Sequence, residues 1–270
     1  MNDVAEFVKL SMALAPWREQ LVFIGGWAHR LYRQHPLATP PVYMALTTKD
    51  ADVAFADNER LEGSIKEALE NAGFKENLSG QHRPPVSSYT LGDGESGFYA
   101  EFLTPLRGSG RKRSGEADAT LLKADITAQK LRHLEVLLNS PWQVSLPSDA
   151  ENGVEDKIEL WIPNPVSFIC QKILIRDVRQ RDKQAQDVLY IHDTLELFGA
   201  ELPTLAEIWK QRVAVNLIEK QRRDIGAGVE EMFSTVTDAL RNAALIPQDR
   251  TLSADRIQAF CEAALEEVLG

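Results

Sequence analysis

Two carboxylates two residues apart, Asp50 and Asp52, and an adjacent glycine pair, Gly25 and Gly26, have the types and spacing to do chemistry. The aspartates lie in TTKDADVAF, which reads as a strand. Strand side chains alternate between faces, so Asp50 and Asp52 point the same way while Ala51 and Val53 turn toward a core. Two carboxylates side by side repel, and a divalent cation such as Mg²⁺ or Mn²⁺ neutralises such a pair. The glycines suit the opposite charge. Without Cβ atoms their backbone can approach a ligand closely, and the N–H groups opening the next helix suit phosphate. Together the two features plan a site for a metal-bound nucleoside triphosphate.

The elements that must hold these residues can be read on either side of them. Leu21 to Ile24 is an apolar strand running into the glycines and the helix GGWAHRLYR, and a Pro-rich passage from Gln34 to Leu46 precedes the aspartates. Val4 to Leu14 carries a helical apolar stripe. Asp57 or Asn58 can cap a helix with Leu61, Ile65, Ala68 and Leu69 on one face, stopped at Gly73. Strands Val86 to Leu91 and Phe98 to Leu103 should form a hairpin around GDGESG. The second of them carries Glu101, whose face it shares with Tyr99 and Leu103; Glu101 is either a half-exposed strand residue or part of a metal site. A helix is expected over Asp125 to Leu138, and strands at Trp142 to Leu146 and Lys157 to Ile162 across SDAENGVED extend the sheet or form a small ribbon.

Beyond Ile162 the pattern turns helical. Asn164-Pro165 is a capping side chain followed by proline at the first helical position. The helix it opens carries Lys172 among Phe168, Ile169, Ile173 and Ile175, from where its ammonium can reach a triphosphate. Lys183 and Asp187 are four apart, neighbours on one helix face, and read either as a solvated ion pair or as a wall of the site. Arg176 and Arg181 are further candidates. Thr204-x-x-Glu207 reads as a capping box, and stripes at Val229 to Leu240 and Ile257 to Val268 complete a helical region. The expected architecture is α+β: a mixed sheet flanked by helices over residues 1–162, then a helical domain over residues 163–270, with a nucleotide cleft completed by the second.

Composition bounds the reading. The 270 residues are 44% apolar and 26% charged, ordinary for a globular protein. No apolar run approaches the ~20 residues that span a bilayer, and the acidic start from Met1 to Trp17 is unlike a signal peptide, so a cytoplasmic protein without membrane association is expected. Cys170 and Cys261 lack zinc-ligand spacing and read as buried thiols. The five histidines are scattered, and His29 is expected on a helix surface. A net charge of −10 argues against broad nucleic-acid binding. The dense basic patch RGSGRKR, Arg107 to Arg113, has the composition of a mobile loop, either a solvated connector or a grip on phosphates.

The glycine pair before a helix followed by an Asp-x-Asp strand, GGWAHRLYR then TTKDADVAF, resembles the polymerase-beta-like nucleotidyltransferase superfamily. The form is most similar to its small prokaryotic branches, which include abortive-infection nucleotidyltransferase toxins. The strand ending at Ile162-Pro163, the N-P-x-x-F helix start, Lys172, and Lys183 with Asp187 resemble the C-terminal signature of the same branch. The passage from Gln34 to Leu46 looks like an insertion relative to it. The resemblance implies that Glu101 supplies the third carboxylate beside Asp50 and Asp52, with Mg²⁺ or Mn²⁺ bound. It implies that Gly25, Gly26 and Lys172 hold the triphosphate, while Lys183 and Asp187 organise the far wall. A nucleoside monophosphate would then pass from an NTP to a hydroxyl of transfer RNA, a protein or a small molecule such as an aminoglycoside, possession of an antitoxin partner being a matter of context. A sugar-nucleotide glycosyltransferase also uses Asp-x-Asp but lacks the Gly-Gly turn and the later Lys helix. A non-catalytic nucleotide- or protein-binding module on the same fold is the alternative, and the insertion counts for it.

Overall fold

The computed structural model describes residues 3–91, 97–148 and 156–270. The chain forms two compact units, one of Met1–Leu31 with Thr47–Pro163 and one of Tyr32–Leu46 with Asn164–Gly270. The turns expected at GDGESG and SDAENGVED fall largely outside the described residues.

The first unit is a mixed sheet with helices. Its elements are α1 (Asp3–Ala13), β1 (Val22–Ile24), α2 (Gly25–Leu31), β2 (Asp50–Ala54), α3 (Ile65–Asn71), β3 (Lys75–Ser79), β4 (Val86–Leu91), β5 (Phe98–Pro105), β6 (Thr120–Lys123), β7 (Ile126–Leu131), α4 (Leu134–Leu137), β8 (Trp142–Leu146) and β9 (Ile158–Ile162). The main sheet runs β1-β2-β5-β4-β3, with β7 pairing both β5 and β6. Strand β2 is antiparallel to β1 and parallel to β5, so it is held on both sides. Strands β8 and β9 form a separate antiparallel ribbon. The core gathers Phe7, Trp27, Phe98 and Phe102; the rings of Phe7 and Trp27 stack at 3.9 Å, tying α1 to α2.

Several expectations change here. Asp57 and Asn58 do not cap a helix: Ser64 does, its hydroxyl accepting from the Glu67 N–H at 3.1 Å. The leucine spacing that suggested a helix over 125–138 is divided between β7 and the short α4, because Ala124, Asp125 and His133 hold positive φ and break the run. Strand β3, polar and mostly exposed, has too little alternation to be read from sequence. His29 is 1% exposed, in the core rather than on a surface.

The second unit is helical: α5 (Pro165–Leu174), α6 (Arg181–Leu197), α7 (Leu202–Ile208), α8 (Glu219–Phe233), α9 (Asp238–Ala244) and α10 (Ala254–Leu269). Asn164 caps α5 as expected, accepting from the Ser167 N–H at 2.8 Å. The capping box at Thr204 does not form; Glu201 precedes α7, and the Thr204 hydroxyl donates to its carboxylate at 2.8 Å. The Gln34 to Leu46 passage belongs with these helices: the Thr39 N–H donates to Leu197 O at 2.9 Å, and the Met44 N–H to Asp249 Oδ2 at 2.7 Å. Cys170 and Cys261 are buried free thiols, raised above their ordinary pKa by burial.

Candidate active site

The register of three strands places the candidate carboxylates. Ile24 of β1 lies opposite Asp52 of β2, and on the other side Asp50 faces Tyr99 and Asp52 faces Glu101 of β5. Between them Ala51 and Ala100 are fully buried, so strand alternation sends Asp50, Asp52, Tyr99 and Glu101 to the opposite face. Asp50, Asp52 and Glu101 are therefore brought to one patch, each half-buried.

Burial, then the carboxylates of Asp50, Glu101 and Asp52, push the Tyr99 hydroxyl up to about 12. Burial, then Asp50, raise the Glu101 carboxyl above the ordinary value. Tyr99 thus shares its face with all three acids and lies directly opposite Asp50. Sequence reading placed Tyr99 on this face but assigned it no role; its position opposite Asp50 becomes visible only with the parallel register.

Gly25 completes the patch. It ends β1, opens α2 and holds φ at +65°, and a Cβ built on it would lie 2.3 Å from Asp52 Oδ2. A side chain at position 25 would thus occupy the space taken by the Asp52 carboxylate. Gly26 follows in the first turn of α2. This turn and the Asp-x-Asp strand are in direct contact, although the intervening passage belongs to the other unit.

In the helical unit Lys172 and Asp187 meet, and Lys183 does not join them. The Lys172 ammonium, on a residue 5% exposed, lies 2.6 Å from Asp187 Oδ1 and about 5 Å from the Phe168 and Tyr190 ring centres, at 5.1 and 5.0 Å. Arg179 Nε donates to Asp187 Oδ2 at 2.8 Å. Burial pushes the Asp187 carboxyl up, but Lys172 and Arg179 outweigh it and hold it below the usual range. Lys183 is exposed and donates to Gln186 at 3.3 Å, so the ion pair expected between Lys183 and Asp187 is replaced by Lys172 with Asp187. Arg179 was missed because it sits in extended backbone before α6, where helical spacing says nothing. Arg176 is tied to Glu231 at 2.6 Å and Arg181 is exposed. A cavity of about 310 Å³ opens beside Lys172, Arg176, Gln184, Asp187 and Glu231.

A second group of titratable side chains was also missed. Among the described residues, His192, Asp193 and Glu196 have potential ligand atoms all within 4.8 Å of one another. The atoms are already engaged. Arg250 Nη2 reaches both Asp193 oxygens at 2.6 Å, His192 Nδ1 lies 2.9 Å from Asp193 Oδ1, and Glu196 takes the Tyr43 hydroxyl. The Arg250 guanidinium lies 3.3 Å from the centre of the Tyr43 ring. A cation here would have to displace Arg250, so the group reads as an ion-paired knot fastening the Tyr32–Leu46 segment. An ionisable pair, His192-Asp193, inside the apolar run VLYIHDTLELF was the available sequence signal.

The mixed sheet flanked by helices, with a helical region after it, defines an α+β protein of nucleotidyltransferase type. Residues 2–214 match the Nucleotidyltransferase family, and the chain belongs to it. No curated protein matches the chain.

Proposed function

We propose that the chain is a divalent-cation-dependent nucleotidyltransferase that moves a nucleoside monophosphate from an NTP to a hydroxyl acceptor. The observation that carries this is the contact of Asp52 with the Gly25 backbone, on a face shared with Asp50 and Glu101. A carboxylate pressed against a turn suited to phosphate needs a cation between the two charges. The acids fit that cation: oxygen donors gathered on one face, with Glu101 held above its ordinary pKa by its surroundings. Asp50, Asp52 and Glu101 would hold Mg²⁺ or Mn²⁺, which would neutralise charge and polarise the phosphoryl oxygens.

The chain's own residues position the reaction. Gly25 and Gly26 offer backbone N–H groups to the triphosphate. Glu101, raised above its ordinary value by burial and then by Asp50, accepts the proton of the acceptor hydroxyl. The acceptor oxygen attacks the α-phosphorus in line, the α–β P–O bond breaks, and pyrophosphate leaves. Little beyond positioning and charge is asked of the protein. In the helical unit, Lys172 and Asp187 are assigned to nucleotide binding, supported by the cavity beside them, whereas Lys183, exposed and donating to Gln186, does not line it.

The test is incubation of pure protein with each α-labelled NTP and Mg²⁺ or Mn²⁺, cell extract supplying acceptors, beside the Asp50→Ala/Asp52→Ala double variant. Label reaching an acceptor with wild type alone supports the reading. Absence of both transfer and cation-dependent NTP binding would leave a binding module on the same fold. Toxicity is a separate part of the proposal: a growth defect on expression, relieved by Asp50→Ala and by an antitoxin, is its signature.

A further inference from the structure

The segment expected to be a mobile loop is an ordered hairpin. Between β5 and β6, Arg111 bridges Ala117, the Lys112 N–H donates to Glu116 O at 2.8 Å, the Gly115 N–H to Lys112 O at 2.9 Å, and the Asp118 N–H to Gly110 O at 2.9 Å. Its tip presents Arg111, Lys112 and Arg113, all exposed. Arg111 donates to the Gly115 carbonyl at 2.9 Å, and Arg132, alongside, to the Gly108 carbonyl at 3.1 Å; neither bond cancels a charge. Among the described residues no carboxylate forms an ion pair with Arg111, Lys112, Arg113 or Arg132. Of the acids close by, Asp118 is paired with Lys130 at 2.8 Å, while Glu116 takes the Ser114 hydroxyl at 3.4 Å and keeps its charge, one acid beside Arg111, Lys112, Arg113 and Arg132.

We infer that this hairpin grips the phosphodiester backbone of a nucleic-acid strand. In a chain of net charge −10, a tip whose cations outnumber its acids concentrates attraction for a polyanion at one place. The cations are spread along an exposed ribbon, which matches a repeating row of phosphates better than one small anion. Gly108 and Gly115 would have nothing within 4 Å of an added Cβ, so a strand can come close to the backbone there. A lipid surface fits less well: residues 107–116, RGSGRKRSGE, contain no apolar side chain to enter it, and the rest of the protein is acidic. Binding stands independently of catalysis. Only the corollary, that the bound strand supplies the acceptor hydroxyl, rests on the nucleotidyltransferase reading.

The experiment is fluorescence anisotropy of the full chain with labelled single-stranded RNA, hairpin RNA and single-stranded DNA across a salt series, without NTP or divalent cation. Vesicles containing anionic lipid form a separate arm. Wild type should bind nucleic acid, and Arg111→Ala/Lys112→Ala/Arg113→Ala should weaken it roughly tenfold or more, with a log–log salt slope shallower by about 2. Glu116→Gln, which removes a nearby negative charge, should tighten it. Unchanged melting of these exposed-site variants separates lost contacts from lost structure. Comparison of RNA with DNA identifies the source of the backbone. The inference is overturned if wild type binds neither, if the triple variant binds as well as wild type, or if only vesicles are bound. Asp50→Ala/Asp52→Ala should bind as wild type does, so a failed transfer assay leaves this result separately readable.

Discussion

Gly25 and Asp52 compete for one volume: the Asp52 carboxylate lies 2.3 Å from where a Cβ on residue 25 would be. Gly25→Ala must therefore move Asp52 and also hold φ at +65°, a left-handed conformation that costs a residue with a side chain about 1–2 kcal/mol. Gly115→Ala is the control, since Gly115 has φ +87° with open space around it. Gly25→Ala should lower the melting temperature more than Gly115→Ala and abolish nucleotidyl transfer. Equal losses would mean that the Asp52 carboxylate adapts and the contact is not what the site depends on.

The carboxylate patch should be visible in stability against pH. Burial, then Asp50, raise Glu101 above 4.5, so the folded state holds this proton more tightly than the unfolded one. Its contribution therefore falls as pH rises from about 4.5 through the raised value. Glu101→Gln should flatten that part of the profile and melt at or above wild type at pH 7. Mg²⁺ or Mn²⁺ at a hundred times its Kd should add about 2.7 kcal/mol, several degrees in melting temperature. The shift should vanish in Asp50→Ala/Asp52→Ala. A shift that survives there and disappears in His192→Ala would assign the cation to the helical knot.

What the sequence made legible follows from what short-range patterns can carry. Strand alternation put Asp50, Asp52 and Glu101 on the correct faces because burial of Ala51 and Ala100 enforces it. The Asn164-Pro165 cap was readable because its chemistry is local to three residues. The Tyr99 position depends on a parallel register, and the Lys172–Asp187 pair joins two helices. Neither is fixed by spacing. The helix expected over 125–138 failed for a related reason: the leucine period was genuine, but left-handed Ala124 and Asp125 turn β6 back into β7, and left-handed His133 separates Leu131 from Leu134.

The Lys172–Asp187 pair should be costly to break and inexpensive to replace. Asp187, 2% exposed, answers both Lys172 and Arg179, so Asp187→Asn leaves a buried ammonium without its counter-charge. The expected loss is about 3–5 kcal/mol by chemical denaturation, while a matched Lys172→Met/Asp187→Leu variant should recover much of it. The pH sign is opposite to that of Glu101. Asp187 is held below its ordinary value, so its contribution is complete above about pH 4 and is lost as pH falls through the lowered value. Wild type should therefore lose stability in acid more steeply than the double variant.

Arg250 should hold the Tyr32–Leu46 segment in place. Its guanidinium binds both Asp193 oxygens at 2.6 Å and stacks 3.3 Å from the Tyr43 ring centre, so one side chain neutralises a buried acid and clamps the segment. Arg250→Met leaves Asp193, 2% exposed, without its guanidinium partner and removes the cation from the tyrosine face. A loss of about 3 kcal/mol is expected, with limited proteolysis appearing first between Gln34 and Leu46. Asp249→Asn tests the exposed Met44 contact alone and should cost well under 1 kcal/mol, as surface polar changes usually do. If Asp249→Asn opened the segment to protease as readily as Arg250→Met, the clamp would lie at Met44, and the buried knot would serve the helices alone.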